Sequence, residues 1–216
     1  MAQATKRLSL LIRIPGEDEG QRAEALPTLT LQQLIAHTLR EFRDNELLVG
    51  NPHAYSLEDG AGETLPLDIR LGELMLDEGT TLTLVEKPQP IPKKAQRAAE
   101  RLYLREVRQS ESVRLHWLPA VVGRRSEQLA DNDLLVLDLS NWPSGQRVSR
   151  RHVALVQEDG YYVVQLLSAN PVTLWRNDQP VVTLSEEGER HPIEAGDLIK
   201  FDRSDIQLKF IVQKAG

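Results

Sequence analysis

Residues 123–155 read "GRRSEQLADNDLLVLDLSNWPSGQRVSRRHVAL". Gly123 and Arg124 directly follow an apolar "AVV", and Ser149-Arg150-Arg151-His152 directly precede an apolar "VAL". A third polar stretch, "LSANPV", carries Ser168 and Asn170. These residue types suit an oxyanion. Arginine offers a planar fork of donors matched to phosphate, and the serine hydroxyl and asparagine amide add neutral donors. A phosphorylated side chain is close to a dianion at neutral pH and presents three acceptor oxygens.

Other chemistries find no such support. The five histidines are His37, His53, His116, His152 and His191, and none sits in an H-E-x-x-H pair. Ser149 and His152 are near neighbours, yet no G-x-S-x-G elbow is present to activate a serine. A phosphate-cradling P-loop and a G-x-G-x-x-G stretch are also missing. The chain has no cysteine, which removes disulfides, thiolate metal sites and a cysteine nucleophile. The expectation is a protein without catalytic residues, cofactor or metal.

The anion-binding residues need a frame. From Arg101 the pattern is strand-rich: "RLYLREVRQ", "VRLHWLP", "AVVGRR", "DLLVLDL", "HVALVQ", "YYVVQLL", "VTLWRN", "QPVVTL", "DLIKF" and "IQLKFIV". About ten short strands, separated by turn signals such as "EDG", "RND" and "EAGD", predict an antiparallel β-sandwich over 101–213. Sandwich loops gather at the two ends, which would bring the three polar stretches to one spot. If Arg150 and Arg151 open a strand, they face opposite sides, and only one points into the site. Alternation alone leaves both Arg150 and Arg151 open, and Arg125 reads as a solvated strand end.

Residues 6–86 read differently. "RLSLLIRI" alternates as a half-buried strand, and a short extended piece ends at Leu26. "TLTLQQLIAHTLREFRD" places Leu31, Leu34, Ile35, Thr38, Leu39 and Phe42 on one helical face, with Thr28 or Thr30 as cap. Another short strand, a compact turn around Leu71, Leu74 and Leu76, and a strand from Thr80 to Val85 complete the segment. Between the two segments, 87–100 hold Pro88, Pro90 and Pro92, which favour extended, semi-stiff chain. This reads as a basic linker in which "KKAQRAAER" forms one or two helical turns.

The second segment resembles a forkhead-associated (FHA) domain, a module that binds phosphothreonine. The matching residues are Gly123-Arg124, Ser149-x-x-His152, Asn170, Asn177 and the late "EAGDLIKF". The resemblance implies that Arg124, Ser149 and Arg150 contact the phosphate. It implies that Asn170 bonds the peptide backbone beside the phosphothreonine. Gly123 and His152 match the family's architectural positions, the histidine tying neighbouring loops together. Two departures stand out. "SNWPSGQ" (140–146) lengthens the loop before Ser149, where Trp142 and Pro143 would extend or cover a peptide groove. Family members often carry Asn-Gly-Thr where this chain has Asn170-Pro171-Val172-Thr173, and proline cannot adopt the positive φ that glycine permits.

The first segment resembles a ubiquitin-like β-grasp domain in the order of its elements and in "LGELMLDEGTTLTLVE". No Gly-Gly follows Val85, so a conjugating role is not implied.

Composition agrees with two soluble domains: 216 residues, 27% charged and 40% hydrophobic. The net charge of -6 is uneven. Residues 1–86 carry 7 basic and 15 acidic groups, 87–109 carry 7 and 2, and 110–216 carry 12 and 15. The acidic flanks argue against nucleic acid as partner. No apolar run reaches the roughly 18 residues of a membrane span, and the first residues lack a signal-peptide pattern. A cytoplasmic location is expected. The functional expectation is a non-catalytic adaptor. Its sandwich binds a phosphothreonine protein, a Ser/Thr kinase or its substrate, and its ubiquitin-like domain engages a second protein. The alternative is a phospho-independent scaffold whose sandwich has lost its ligand.

Overall fold

The computed structural model describes residues 7–128 and 132–213. The chain divides into two compact units, with the boundary between Pro88 and Gln89.

In the first unit, strands β1 (Leu8–Arg13) and β2 (Gln21–Ala25) precede helix α1 (Leu31–Glu41), and β3 (Tyr55–Glu58) and β4 (Thr80–Glu86) follow it. The sheet order is β2-β1-β4-β3. β1 runs antiparallel to β2 and parallel to β4. A parallel pair cannot be joined by a tight turn, so the chain crosses over through α1. Thr30 starts the helix with a capping box. Its hydroxyl accepts from the Gln33 N–H at 3.2 Å, and its own N–H donates to the Gln33 side chain at 3.0 Å. Leu31, Leu34, Ile35, Thr38 and Leu39 are buried along one face. The apolar members of that face share a core with Leu10, Ile12, Tyr55, Leu57, Leu82 and Leu84 of the sheet. One helix laid on a four-stranded mixed sheet in this order is a β-grasp arrangement.

Among the described residues, the second unit is a sandwich of eleven strands. They are β5 (Gln96–Glu106), β6 (Ser112–Leu118), β7 (Ala120–Gly123), β8 (Leu135–Asp138), β9 (Val153–Glu158) and β10 (Tyr161–Leu166). Then follow β11 (Val172–Arg176), β12 (Gln179–Leu184), β13 (Arg190–Pro192), β14 (Leu198–Phe201) and β15 (Gln207–Gln213). They form two sheets, β13-β10-β9-β7-β8 and β12-β11-β14-β15-β5-β6. Alternate residues of both sheets meet inside: Leu102, Leu104, Leu115, Val122, Val153, Leu155, Val164, Leu166, Val172, Leu174, Ile199, Phe201, Leu208 and Phe210. Burying each such side chain contributes roughly 1.5–3 kcal/mol.

The sequence expectations need three corrections. The stretch around "KKAQRAAER" forms no helical turn. β5 already begins at Gln96, and Gln96 and Arg97 pair with Leu118 and Trp117 of β6 before a register irregularity. Ladder pairing and the packing of Ala98 against the core outweigh the local helix propensity. The sandwich is also not wholly antiparallel, because β7 and β8 run parallel, joined by the long loop that starts at Arg124. Finally, β13 went unseen: a three-residue strand at a sheet edge, ending in proline, has no alternation to read.

The turn at Asn177-Asp178 shows local chemistry matched to geometry. β11 and β12 are joined by these two residues alone, with φ of 49° and 60°. Two successive left-handed residues suit a tight hairpin, and Asn and Asp tolerate that conformation better than most side chains.

Candidate functional site

The loops β7–β8, β8–β9, β10–β11 and β14–β15 meet at one end of the sandwich through hydrogen bonds among their own residues. The Gly123-Arg124 backbone lies directly against that of Ser149-Arg150. The Arg124 N–H lies 3.1 Å from both the Ser149 and the Arg150 carbonyl oxygens. A Cβ on Gly123 would sit 2.3 Å from the Arg150 oxygen and 2.8 Å from that of Ser149. No side chain fits there, so glycine is what lets the two polar loops touch.

Arg124 is held in place by the loop it faces. Its Nε donates to the Val148 carbonyl at 2.6 Å, and Nη1 donates to the Gln146 side chain at 2.8 Å. Those bonds use two of the guanidinium's five N–H groups, and the rest of the fork remains for a ligand. Ser149 Oγ accepts from Asn170 Nδ2 at 2.9 Å, which leaves its own proton to donate outward. Asn170 therefore reaches the serine although Pro171 follows it. Arg150 is exposed and donates from Nη1 to Gln128 at 3.2 Å, on the loop after β7. Neither Arg150 nor Arg151 is in a strand, because β9 begins only at Val153. Strand alternation therefore does not distinguish them.

His152 sits beneath these loops, 1% exposed. Its Nδ1 accepts from the Ser149 N–H at 3.2 Å, and its Nε2 lies 2.9 Å from the Asn170 carbonyl oxygen. This pattern needs a neutral ring carrying its proton on Nε2. Its main chain adds a bond at each side, N–H to Val122 and C=O from Leu167. The edge of Phe201 meets the ring in a T-shaped contact with centroids 4.7 Å apart. Burial pushes the imidazole down to about 4. The Asn170 and Pro171 carbonyls and Asp202 oppose that shift, and Arg203 adds to it.

A second clamp was not foreseen from the sequence. One oxygen of Asp138 accepts from the backbone N–H groups of Arg125 and Ser140, each at 2.9 Å, and from the Ser140 hydroxyl. Burial raises its carboxyl, but these hydrogen bonds outweigh burial and hold it below the usual carboxylate range. The Asp-x-Ser spacing is the signal that could have revealed this turn.

In the 139–148 loop, half-buried Trp142 packs against the sandwich core. Gly145 lies so close to Leu139 that a Cβ would meet the Leu139 oxygen at 1.8 Å. Successive backbone bonds from Trp142 to Leu139, Gly145 to Trp142 and Val148 to Gly145 close the loop on itself.

The late "EAGD" segment is a support at a distance from these loops. Asp197, 3% exposed, receives both ends of the Arg176 guanidinium at 2.8 Å and the Glu194 N–H at 2.8 Å. The paired carboxylate raises the Arg176 guanidinium above its usual range.

The FHA domain family model matches residues 120–202. The second unit carries an FHA domain. Mycobacterium tuberculosis EmbR, in complex with a low-affinity phosphopeptide, is similar over 56% of this chain, at 22% identity and a TM-score of 0.38. The likeness spans 27% of the EmbR chain. The FhaA FHA domain, complexed with the intracellular domain of Rv3910, is similar at 18% identity over 50% of this chain and 98% of its own, TM-score 0.36. Caldiarchaeum subterraneum ubiquitin is similar at 15% identity over 38% of this chain and 96% of its own, TM-score 0.32. No curated protein matches the chain.

In this FHA domain Arg124, Ser149 and Asn170 come together, while Arg150 turns toward Gln128. Sequence reasoning missed three contributors: Gln146, Asp138 and Arg203, whose guanidinium meets the Asn170 amide. Among the described residues, no group of three or more His, Cys, Asp or Glu has metal-holding geometry, and no helix is long and apolar enough to cross a membrane.

The neutral His152 makes a pH prediction. The unfolded ring takes its proton near 6.5 and the folded ring near 4, so in that window the unfolded chain binds more protons. Stability of the FHA domain therefore falls as pH drops from about 6.5 to about 4, by roughly 3 kcal/mol in all. Asp138 adds a further loss, below its ordinary carboxylate range. Urea midpoints at pH 7, 5.5 and 4.5 should fall steeply in the wild type and stay nearly level in His152→Gln. Equal slopes in the two proteins would remove His152 as the cause.

Proposed function

We propose that the chain is a non-catalytic adaptor whose FHA domain binds phosphothreonine in an extended segment of another protein. The observation that carries this reading is the meeting of three donors. The Arg124 fork is immobilised by Val148 and Gln146, and the Ser149 hydroxyl is turned outward by Asn170. A pre-set fork beside a free hydroxyl suits a dianion with three acceptor oxygens and loses little entropy when the ligand arrives. Arg150 adds an exposed cation at the rim. Asn170 supplies the peptide-side contact.

The magnitudes are adequate. A hydrogen bond to a charged group contributes roughly 1.5–3 kcal/mol. Three or four of them, less the ordering of an extended segment, leave an affinity near micromolar, about -8 kcal/mol. The phosphate accounts for most of it. The natural ligand is then a protein phosphorylated on threonine, a Ser/Thr kinase or its substrate. The acidic β-grasp unit engages a second protein. Joining two binding units through a short connection raises effective concentration at one assembly.

Calorimetry tests the first half. A degenerate phosphothreonine peptide library should give heat with the wild type, and its unphosphorylated twin should give none. Arg124→Ala should lower affinity at least roughly thirtyfold, since it removes a charge-assisted fork. Heat from neither library, or equal heat from both, would leave the FHA domain a scaffold without phosphate recognition. The second half requires that a chain lacking residues 1–86 loses a cellular partner of the full chain. If it keeps them all, that half fails.

A further inference from the structure

We propose that Arg203 is a positioning residue that sets the Asn170 amide for a peptide backbone, an inference resting on the phosphopeptide reading above. Arg203 lies in the exposed turn "DRSD" between β14 and β15. Its Nη1 donates to Asn170 Oδ1 at 2.5 Å. Asn170 Nδ2 donates to Ser149 Oγ at 2.9 Å, the Asn170 N–H donates to Ser168 Oγ at 3.3 Å, and the Asn170 carbonyl meets His152. All four polar groups of Asn170 are thus engaged.

The side-chain amide has two N–H donors and two oxygen lone pairs. Ser149 takes one donor and Arg203 takes one lone pair. One N–H and one lone pair remain. An extended peptide residue offers their complement, a carbonyl and an N–H. Arg203 also fixes which way the amide faces. A guanidinium has no acceptor, so only the oxygen of Asn170 can face it. In the flipped amide, the Asn170 nitrogen would meet a cation, and the Ser149 hydroxyl would have to spend its proton on the Asn170 oxygen.

The turn that carries Arg203 is anchored on both sides of Asn170. The Asp202 N–H donates to the Pro171 carbonyl at 3.3 Å, and Thr173 Oγ1 donates to Asp202 Oδ2 at 3.0 Å. On the other flank, the Asp205 N–H donates to Ser144 Oγ at 3.0 Å. The same turn therefore joins the Asn170-Pro171 loop to the long loop that carries Gln146. Proline after Asn170 removes the backbone freedom a glycine would supply, and Arg203 fixes the amide from across the site instead.

The test separates the peptide from the phosphate. The phosphothreonine library and free O-phosphothreonine are titrated into wild type, Arg203→Ala, Asn170→Ala and the double variant, following amide resonances by NMR. Arg203→Ala should weaken the library roughly tenfold, the loss of about one oriented hydrogen-bond pair, and change O-phosphothreonine by less than twofold. The double variant should bind the library no more weakly than Asn170→Ala alone, as expected for two residues acting as one unit. Unchanged library binding by Arg203→Ala overturns the proposal. So does an equal loss for O-phosphothreonine, which would make Arg203 a phosphate contact, and so do additive effects in the double variant. A wild type that ignores both ligands overturns the phosphopeptide reading itself. The Asn170 side-chain amide resonances give a ligand-free check, since they should move in Arg203→Ala and hold nearer their wild-type positions in Arg203→Lys.

Discussion

The polar-loop end of this FHA domain depends on one buried, uncharged imidazole. His152 has a single acceptor and a single donor, and both are used across loops, on the Ser149 N–H and the Asn170 carbonyl. A charged ring would have two donors, and the Ser149 N–H would then face another N–H. Burial under the loops and against Phe201 supplies the condition for neutrality. The hydrophobic core thus keeps the ring neutral, and the Ser149 N–H and Asn170 carbonyl select the Nε2–H tautomer.

The rest of the site follows from that constraint. Ser149 and Asn170 are fixed at their backbones by His152, so their side chains can meet at 2.9 Å. Gly123 allows the Arg124 backbone to lie against Ser149 and Arg150 without a collision. Asp138 and the compact 139–148 loop keep Val148 and Gln146 where they hold the Arg124 fork. The strands provide a rigid frame, and the loops bear the charged and polar groups on it.

Much of this was legible in the sequence, for physical reasons that differ from element to element. Alternation revealed most strands because each buries one face, and a capping threonine, Thr28 or Thr30, marked the start of α1, where the structure selects Thr30. Arg124, Ser149 and Asn170 were singled out as donors suited to an oxyanion, and Gly123 and His152 through the resemblance to an FHA domain. β5 was misread at its start because local helix propensity says nothing about a partner strand twenty residues on. The parallel β7–β8 pair was invisible because strand direction is set by a long loop and leaves no trace in a hydrophobic pattern. Arg203 was illegible for a related reason: an arginine in a polar turn is ordinary, and only the fold brings it to Asn170, 33 residues away in sequence.

The most direct measurement is the protonation state of the two His152 ring nitrogens in the free protein, by long-range 1H–15N NMR at pH 5. The account requires a neutral ring there, with Nε2 protonated and Nδ1 bare, because the folded ring takes its proton only near 4. An imidazolium at pH 5, or a proton on Nδ1, would contradict it. The loops would then be held by something other than His152.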